Sequence, residues 1–103
     1  MEEFRTIYRI LKILREAMEY EEFDLAGISP DTLGINKPKW EQLMAMLVKN
    51  GYIEGVTVIP LLGRPAGIKL SHPQITLKGL EYLQENSMMK KAANLSKGIA
   101  DII

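Results

Sequence analysis

The residues that could carry out covalent chemistry are few. The chain has one histidine, His72, and no cysteine. Because adjacent residues of a strand point to opposite faces, the neighbouring Ser71 cannot form a serine–base pair with His72. The absence of cysteine excludes a thiolate nucleophile, a disulfide and a thiolate metal site. This inventory predicts a chain that is not an enzyme and that uses neither a cofactor nor a metal.

Two short segments resemble ligand sites in composition alone. Residues 19–24 carry four carboxylates, but a calcium loop needs alternating oxygen ligands and a turn glycine. We therefore predict a solvated helix end there. Residues 63–67 are glycine-rich, but they lack the Gly-Lys-Ser/Thr ending of a phosphate loop and do not precede a helix. Neither segment predicts a metal site or a nucleotide site.

Recognition of DNA is the remaining chemistry that the residues allow. A helix over residues 38–50 would turn Trp40 and its apolar neighbours toward a core and a polar face outward. On that face Gln42 could read adenine in the major groove and lysines could hold phosphates, whereas Glu41 would repel them. A solvated polar helix face is the alternative. The candidate DNA contacts are Lys37, Lys39, Gln42, Lys49, Arg64 and Lys69.

Charge limits this hypothesis without excluding it. The chain has 13 basic and 13 acidic residues and no net charge, whereas DNA-binding modules typically have a basic excess. Residues 1–25 hold four basic and seven acidic side chains, and residues 26–103 hold nine and six. The half that would contact DNA is therefore slightly basic.

The elements that must position these residues follow from periodicity and capping. Apolar residues at spacings of three and four predict the first helix, and Ser29-Pro30 and Asn36-Lys37-Pro38 are typical helix starts. Residues 51–59 and 68–75 largely alternate and predict a hairpin, with irregular structure over residues 60–67. We predict one α+β domain over residues 1–103, a winged helix-turn-helix with an additional C-terminal helix. The expected bounds are helices at about 3–20, 30–34, 38–50, 77–86 and 88–102, and a hairpin at about 52–75.

Apolar surface suggests protein contacts as well. Ile10, Ile13 and Ala17 form a second stripe on the first helix, which either a later helix or a second subunit must cover. The hairpin tip carries leucines that either fold back onto the body or meet a partner. The candidate protein contacts are Leu61, Leu62, Leu95, Ile99 and Ile102.

The motifs also resemble those of a known family. Residues 8–13, the strand that begins Gly51-Tyr52-Ile53, and residues 77–86 are similar in order and spacing to the YjcQ-like family of small winged-helix proteins from Firmicutes and their prophages. The resemblance implies a winged-helix fold and a phage-associated setting, and it implies no activity and no site residues. The apolar segment 60–67 departs from a short polar wing, and the start of the third helix is more basic than the family leads us to expect.

The leading hypothesis is a winged-helix DNA-binding or regulatory protein without catalysis. The alternative is a winged-helix protein-interaction module that docks through the apolar hairpin or the C-terminal helix. Double-stranded DNA, a second copy of the chain or another protein are the expected partners, and no small-molecule substrate is inferred. No segment is apolar enough to span a membrane and the N-terminus is unlike a signal peptide, so we expect a soluble cytoplasmic protein.

Overall fold

The computed structural model describes residues 2–86, with the exception of the side chains of residues 64–66. Helices flank a two-stranded antiparallel sheet, which confirms the α+β class, and the order of the elements is compatible with a winged-helix-like domain. The helix predicted over residues 88–102 lies outside the described residues, as do Leu95, Ile99 and Ile102. The elements are α1 (Glu2–Ala17), a 3-10 turn (Leu25–Ile28), α2 (Pro30–Leu33), α3 (Lys37–Lys49), β1 (Ile53–Leu61), β2 (Arg64–Ile75) and α4, helical over 77–86.

Side-chain caps set the helix-turn-helix. The Ser29 hydroxyl accepts a hydrogen bond from the backbone N–H of Thr32 at 3.2 Å, and the Asn36 side-chain oxygen accepts one from the N–H of Lys39 at 2.9 Å. Both bonds satisfy donors that a helix N-terminus leaves free. Gly34, with φ 72°, ends α2 in the left-handed conformation. These local signals place α2 and α3 where the sequence predicts them.

The hairpin is more regular at its tip than predicted. Leu61 pairs with Arg64, so a two-residue turn joins the strands. The prediction of irregular structure over residues 60–67 is correct only at a register shift between Ile59 and Leu61, where Pro60 lies opposite residues 65 and 66. Gly63 supplies the positive φ, 65°, that the turn requires. Both strands are edges of a two-stranded sheet, and an edge strand tolerates a proline such as Pro60 at a position whose backbone nitrogen need not donate to the neighbouring strand.

A β-bulge bends the base of the hairpin. Val56 pairs with Leu70 and Glu54 with Gln74, so residues 71–73 of β2 lie opposite the single residue Gly55. Gly55 has φ 76°, and a Cβ there would overlap the backbone carbonyl of His72. Glycine at this position therefore permits both the backbone conformation and the close approach of the strands.

The core lies between α1, α3, the base of the hairpin and α4. Trp40 is buried, and its indole N–H donates to the carbonyl oxygen of Ile28 at 2.8 Å. The prediction that Trp40 anchors the core is confirmed. The largest fully buried side chains are Ile10, Leu11, Leu14, Ile28, Met44, Leu47 and Ile53.

Two further packing features concern α1 and α4. Ile10 is fully buried, and Ile13 lies beside Gly27, so the 3-10 turn covers part of the second apolar stripe of α1. The backbones of α4 and Tyr52 approach closely at Gly79, because a Cβ there would overlap the carbonyl of Tyr52. Thr76 caps α4, its hydroxyl accepting a hydrogen bond from the N–H of Gly79 at 3.1 Å.

Candidate nucleic-acid interface

The outward face of α3 presents few groups that read DNA. Gln42 and Lys49 are exposed, and Met46 is half exposed between them. The Gln42 amide donates to the carbonyl of Pro38 in its own helix at 3.4 Å, a distance at which a hydrogen bond is weak and easily exchanged. Glu41, which was expected to face outward beside Gln42, is half-buried at the margin of the face. The face is therefore less acidic than the sequence indicates.

The first turn of α3 is tied to α1 by an ion pair. The Lys39 ammonium lies 2.9 Å from a carboxylate oxygen of Glu3, and both side chains are partly exposed. The hydrogen bond from Lys39 holds the pKa of Glu3 below its ordinary value, and the same bond raises the pKa of Lys39. The charge of Lys39 is thus partly offset, while Lys37 beside it is exposed.

The hairpin contributes little positive charge and more apolar surface. Lys69 is exposed on β2, where it pairs with Thr57 of β1, and the side chain of Arg64 lies outside the described part. Ile59 and Leu61 are about two-fifths exposed and Leu62 is 100% exposed. Leu61 packs in part against Gly67 of β2, whereas Leu62 makes no packing contact within the part of the chain that the structure describes. The two alternatives for the tip both remain.

A second cationic surface, which the sequence reasoning missed, lies on α1. Arg5, Arg9, Lys12 and Arg15 are all exposed. The Arg9 guanidinium donates to the carbonyls of Thr32 and Leu33 at 3.2 and 3.4 Å, at the end of α2. The available signal was that residues 5–15 hold four basic residues and no acidic one. Summing charge over residues 1–25 concealed it behind the acidic residues on either side.

His72 lines a cleft of about 350 Å³ between the end of α1 and the base of β2. Glu21, Tyr20 and Phe23 contribute to the same walls. Within residues 2–86, no hydrogen bond orients the exposed imidazole as a base, and no three acidic or histidine side chains converge where they could hold a metal ion. We assign no reaction to this cleft.

None of the helices in the described part of the chain is long and apolar enough to cross a bilayer. The longest helix within residues 2–86, α1, has 16 residues.

Comparison with known proteins identifies the family. The family model described as "YjcQ protein" matches residues 8–102. The uncharacterized protein YjcQ of Bacillus subtilis (strain 168) is 34% identical over 76 residues, which cover 74% of this chain and 78% of that protein. No solved structure matches the chain significantly. The resemblance seen in the sequence motifs is confirmed, and it assigns no activity to the chain. The chain belongs to the YjcQ protein family.

Proposed function

We propose that this protein binds double-stranded DNA through the outward face of α3 and acts as a regulator. The observation that carries the proposal is the capped α2–turn–α3 unit, in which α3 buries Trp40 and leaves Gln42 and Lys49 exposed. Such a unit places its second helix in the major groove of DNA. A cytoplasmic location belongs to this proposal, and so does the phage-associated setting, which rests on the resemblance alone.

Some residues of α3 would contact the bases, and others would contact the phosphates that position the helix. Gln42 offers the amide pair that matches the N6 and N7 edge of adenine, and Ala45 is small enough to meet a thymine methyl group. Lys37 and Lys49 lie about 18 Å apart along the helix at about 1.5 Å per residue. Lys49 lies on the same side of α3 as Gln42 and can contact a phosphate beyond the bases that Gln42 reads. Lys37, about 120° around the helix from Lys49, can contact a phosphate beside the first turn.

Reversing the charge of Lys49 should weaken DNA binding. We expect Lys49→Glu to lower the affinity for a mixed-sequence duplex by about tenfold or more at about 50 mM salt, because one phosphate contact is replaced by repulsion. Fluorescence anisotropy with labelled duplex measures the affinity. Lys78→Glu is the matched control, since Lys78 carries the same charge and is exposed on α4, where it lies over the ring of Tyr52. Equal affinities of the two variants for the duplex would remove α3 from the interface. If the wild-type protein does not bind the duplex, the proposal is wrong.

Removing Glu3 should have the opposite effect. Glu3→Gln releases Lys39 from its ion pair and deletes an anion beside α3. We expect the affinity for duplex DNA to rise by about twofold to fivefold, which matches the small energy of an exposed ion pair. Glu54→Gln, which neutralises an exposed carboxylate of β1, is the control. A Glu3→Gln protein that binds no better than this control would show that Lys39 does not contact phosphate.

A protein-interaction module is the second candidate, and the exposed hairpin tip favours it. Three neighbouring apolar side chains, Ile59, Leu61 and Leu62, are exposed there, and such clusters commonly mark protein contacts. If the tip joins two copies of the chain, Leu62→Asp should lower the average mass in light scattering at high protein concentration without altering DNA affinity. A wild-type protein that stays monomeric would argue against a second copy as the partner.

A further inference from the structure

The cations of α1 form one continuous surface. Arg5, Arg9, Lys12 and Arg15 follow one another at spacings of four, three and three residues, which place them within about one third of the helix circumference. All four are exposed, while Ile10 and its apolar neighbours on the opposite side are buried. We call these four residues the α1 basic face.

Within residues 2–86, no ion pair neutralises these charges. The ion pair found within residues 2–86 joins Lys39 to Glu3 and does not involve the α1 basic face. Glu16 lies one turn after Lys12, yet no ion pair forms between them. Four like charges on one helix repel one another, and a polyanion would relieve that repulsion.

The α1 basic face also lies next to the helix-turn-helix. Arg9 donates to the carbonyls that end α2, immediately before the turn into α3. Glu3, which pairs with Lys39 in the first turn of α3, lies on the other side of α1 from the basic face. The contacts of Arg9 therefore set the position of the face, beside the turn that leads into α3. The backbone that flanks a duplex seated on α3 would pass near this turn.

The length of the face suits the phosphate backbone. Arg5 and Arg15 are about 15 Å apart along the helix, and one DNA strand carries a phosphate about every 3.4 Å of axis, so the face spans about four phosphates. Acidic residues at both ends, including Glu2 and Glu16, bound it. A lipid surface fits less well, because a helix that lies on a membrane inserts its apolar face, and the apolar face of α1 is buried in the core.

We propose that the α1 basic face binds the phosphates of duplex DNA that flank the segment contacted by α3, as a second and sequence-independent anchor. This inference rests on the proposed function. It assigns α1 a direct role in affinity, in addition to its role in the core.

The salt dependence of binding tests this proposal. The triple variant Arg5→Gln/Lys12→Gln/Arg15→Gln neutralises three of the four charges and leaves Arg9, which holds the end of α2. Between about 50 and about 200 mM salt, the slope of log affinity against log salt should become shallower by about 2.7, or about 0.9 for each lost phosphate contact. The control, Arg5→Lys/Lys12→Arg/Arg15→Lys, keeps every charge and should keep the wild-type slope. Circular dichroism melting checks that both variants fold.

Each outcome decides between the proposals. A folded neutral triple with the wild-type slope overturns the α1 inference and leaves DNA binding through α3 standing. No binding by the wild-type protein overturns both. If the charge-conserving triple variant shows the same decrease in slope as the neutral triple variant, the electrostatic explanation is overturned. If the neutral triple keeps its DNA affinity but loses binding to vesicles of phosphatidylcholine and phosphatidylserine, the face serves a membrane and the proposal is wrong.

Discussion

Replacing Gly55 with alanine should destabilise the protein by about 3 kcal/mol or more, as measured by urea unfolding followed by circular dichroism. Gly55 has φ 76°, a conformation that costs a residue with a Cβ about 1 kcal/mol. The added methyl group would also overlap the carbonyl of His72, and forced overpacking typically costs about 1–3 kcal/mol more. For a small domain with a total stability of about 5–15 kcal/mol, this loss is severe.

Gly63→Ala is the matched control for the energetic cost of a positive φ alone. Gly63 has φ 65°, but a Cβ there would meet nothing within 4 Å. We therefore expect a loss of only about 1 kcal/mol at the hairpin tip. Equal effects at the two glycines would contradict the assignment of the bulge as the site of close contact. Because the bulge fixes how the hairpin leaves the body, a folded Gly55→Ala protein should also change the environment of the tip.

Truncating Trp40 to alanine should cost about 3–5 kcal/mol, the usual range for a buried tryptophan. Trp40 fills the core between α3 and the 3-10 turn, and its indole N–H satisfies the carbonyl of Ile28. Trp40→Phe keeps a ring in the space but leaves that carbonyl unpaired, so we expect a smaller loss of about 1–3 kcal/mol.

Met46→Ala controls for a general effect of substitution in the same helix. Met46 is 50% exposed, and its truncation should change stability by no more than about 0.5 kcal/mol. Urea unfolding at equal protein concentration measures all three variants. A Trp40→Phe protein as stable as wild type would show that the bond to Ile28 contributes nothing. A Trp40→Ala protein as stable as Met46→Ala would contradict the placement of the indole in the core.

Local signals made much of the fold predictable. Ser29 and Asn36 cap helices through their own backbone neighbours, and Gly51 ends α3 with φ 76°. Features that depend on contacts between distant segments were harder to predict from the sequence. Two prolines and two glycines suggested an irregular loop between the strands, whereas the register places Leu61 opposite Arg64. Pairing across the hairpin overrode local composition.

The candidate site was predictable only in part. Periodicity correctly placed Gln42 and Lys49 on the exposed side of α3. The pairing of Lys39 with Glu3 joins residues far apart in the chain, and no local pattern indicates it. The α1 basic face was readable from the sequence, but a charge sum over too long a window hid it. The prediction that the chain is not an enzyme stays a prediction.

The measurement that tests DNA recognition most directly is a map of amide chemical-shift changes in NMR spectra when duplex DNA is added. If α3 and α1 form the interface, the largest changes should fall on residues 37–49 and 5–15, and they should shrink as salt rises because phosphate contacts are screened. Changes confined to the hairpin tip, or no changes at low salt, would contradict the account.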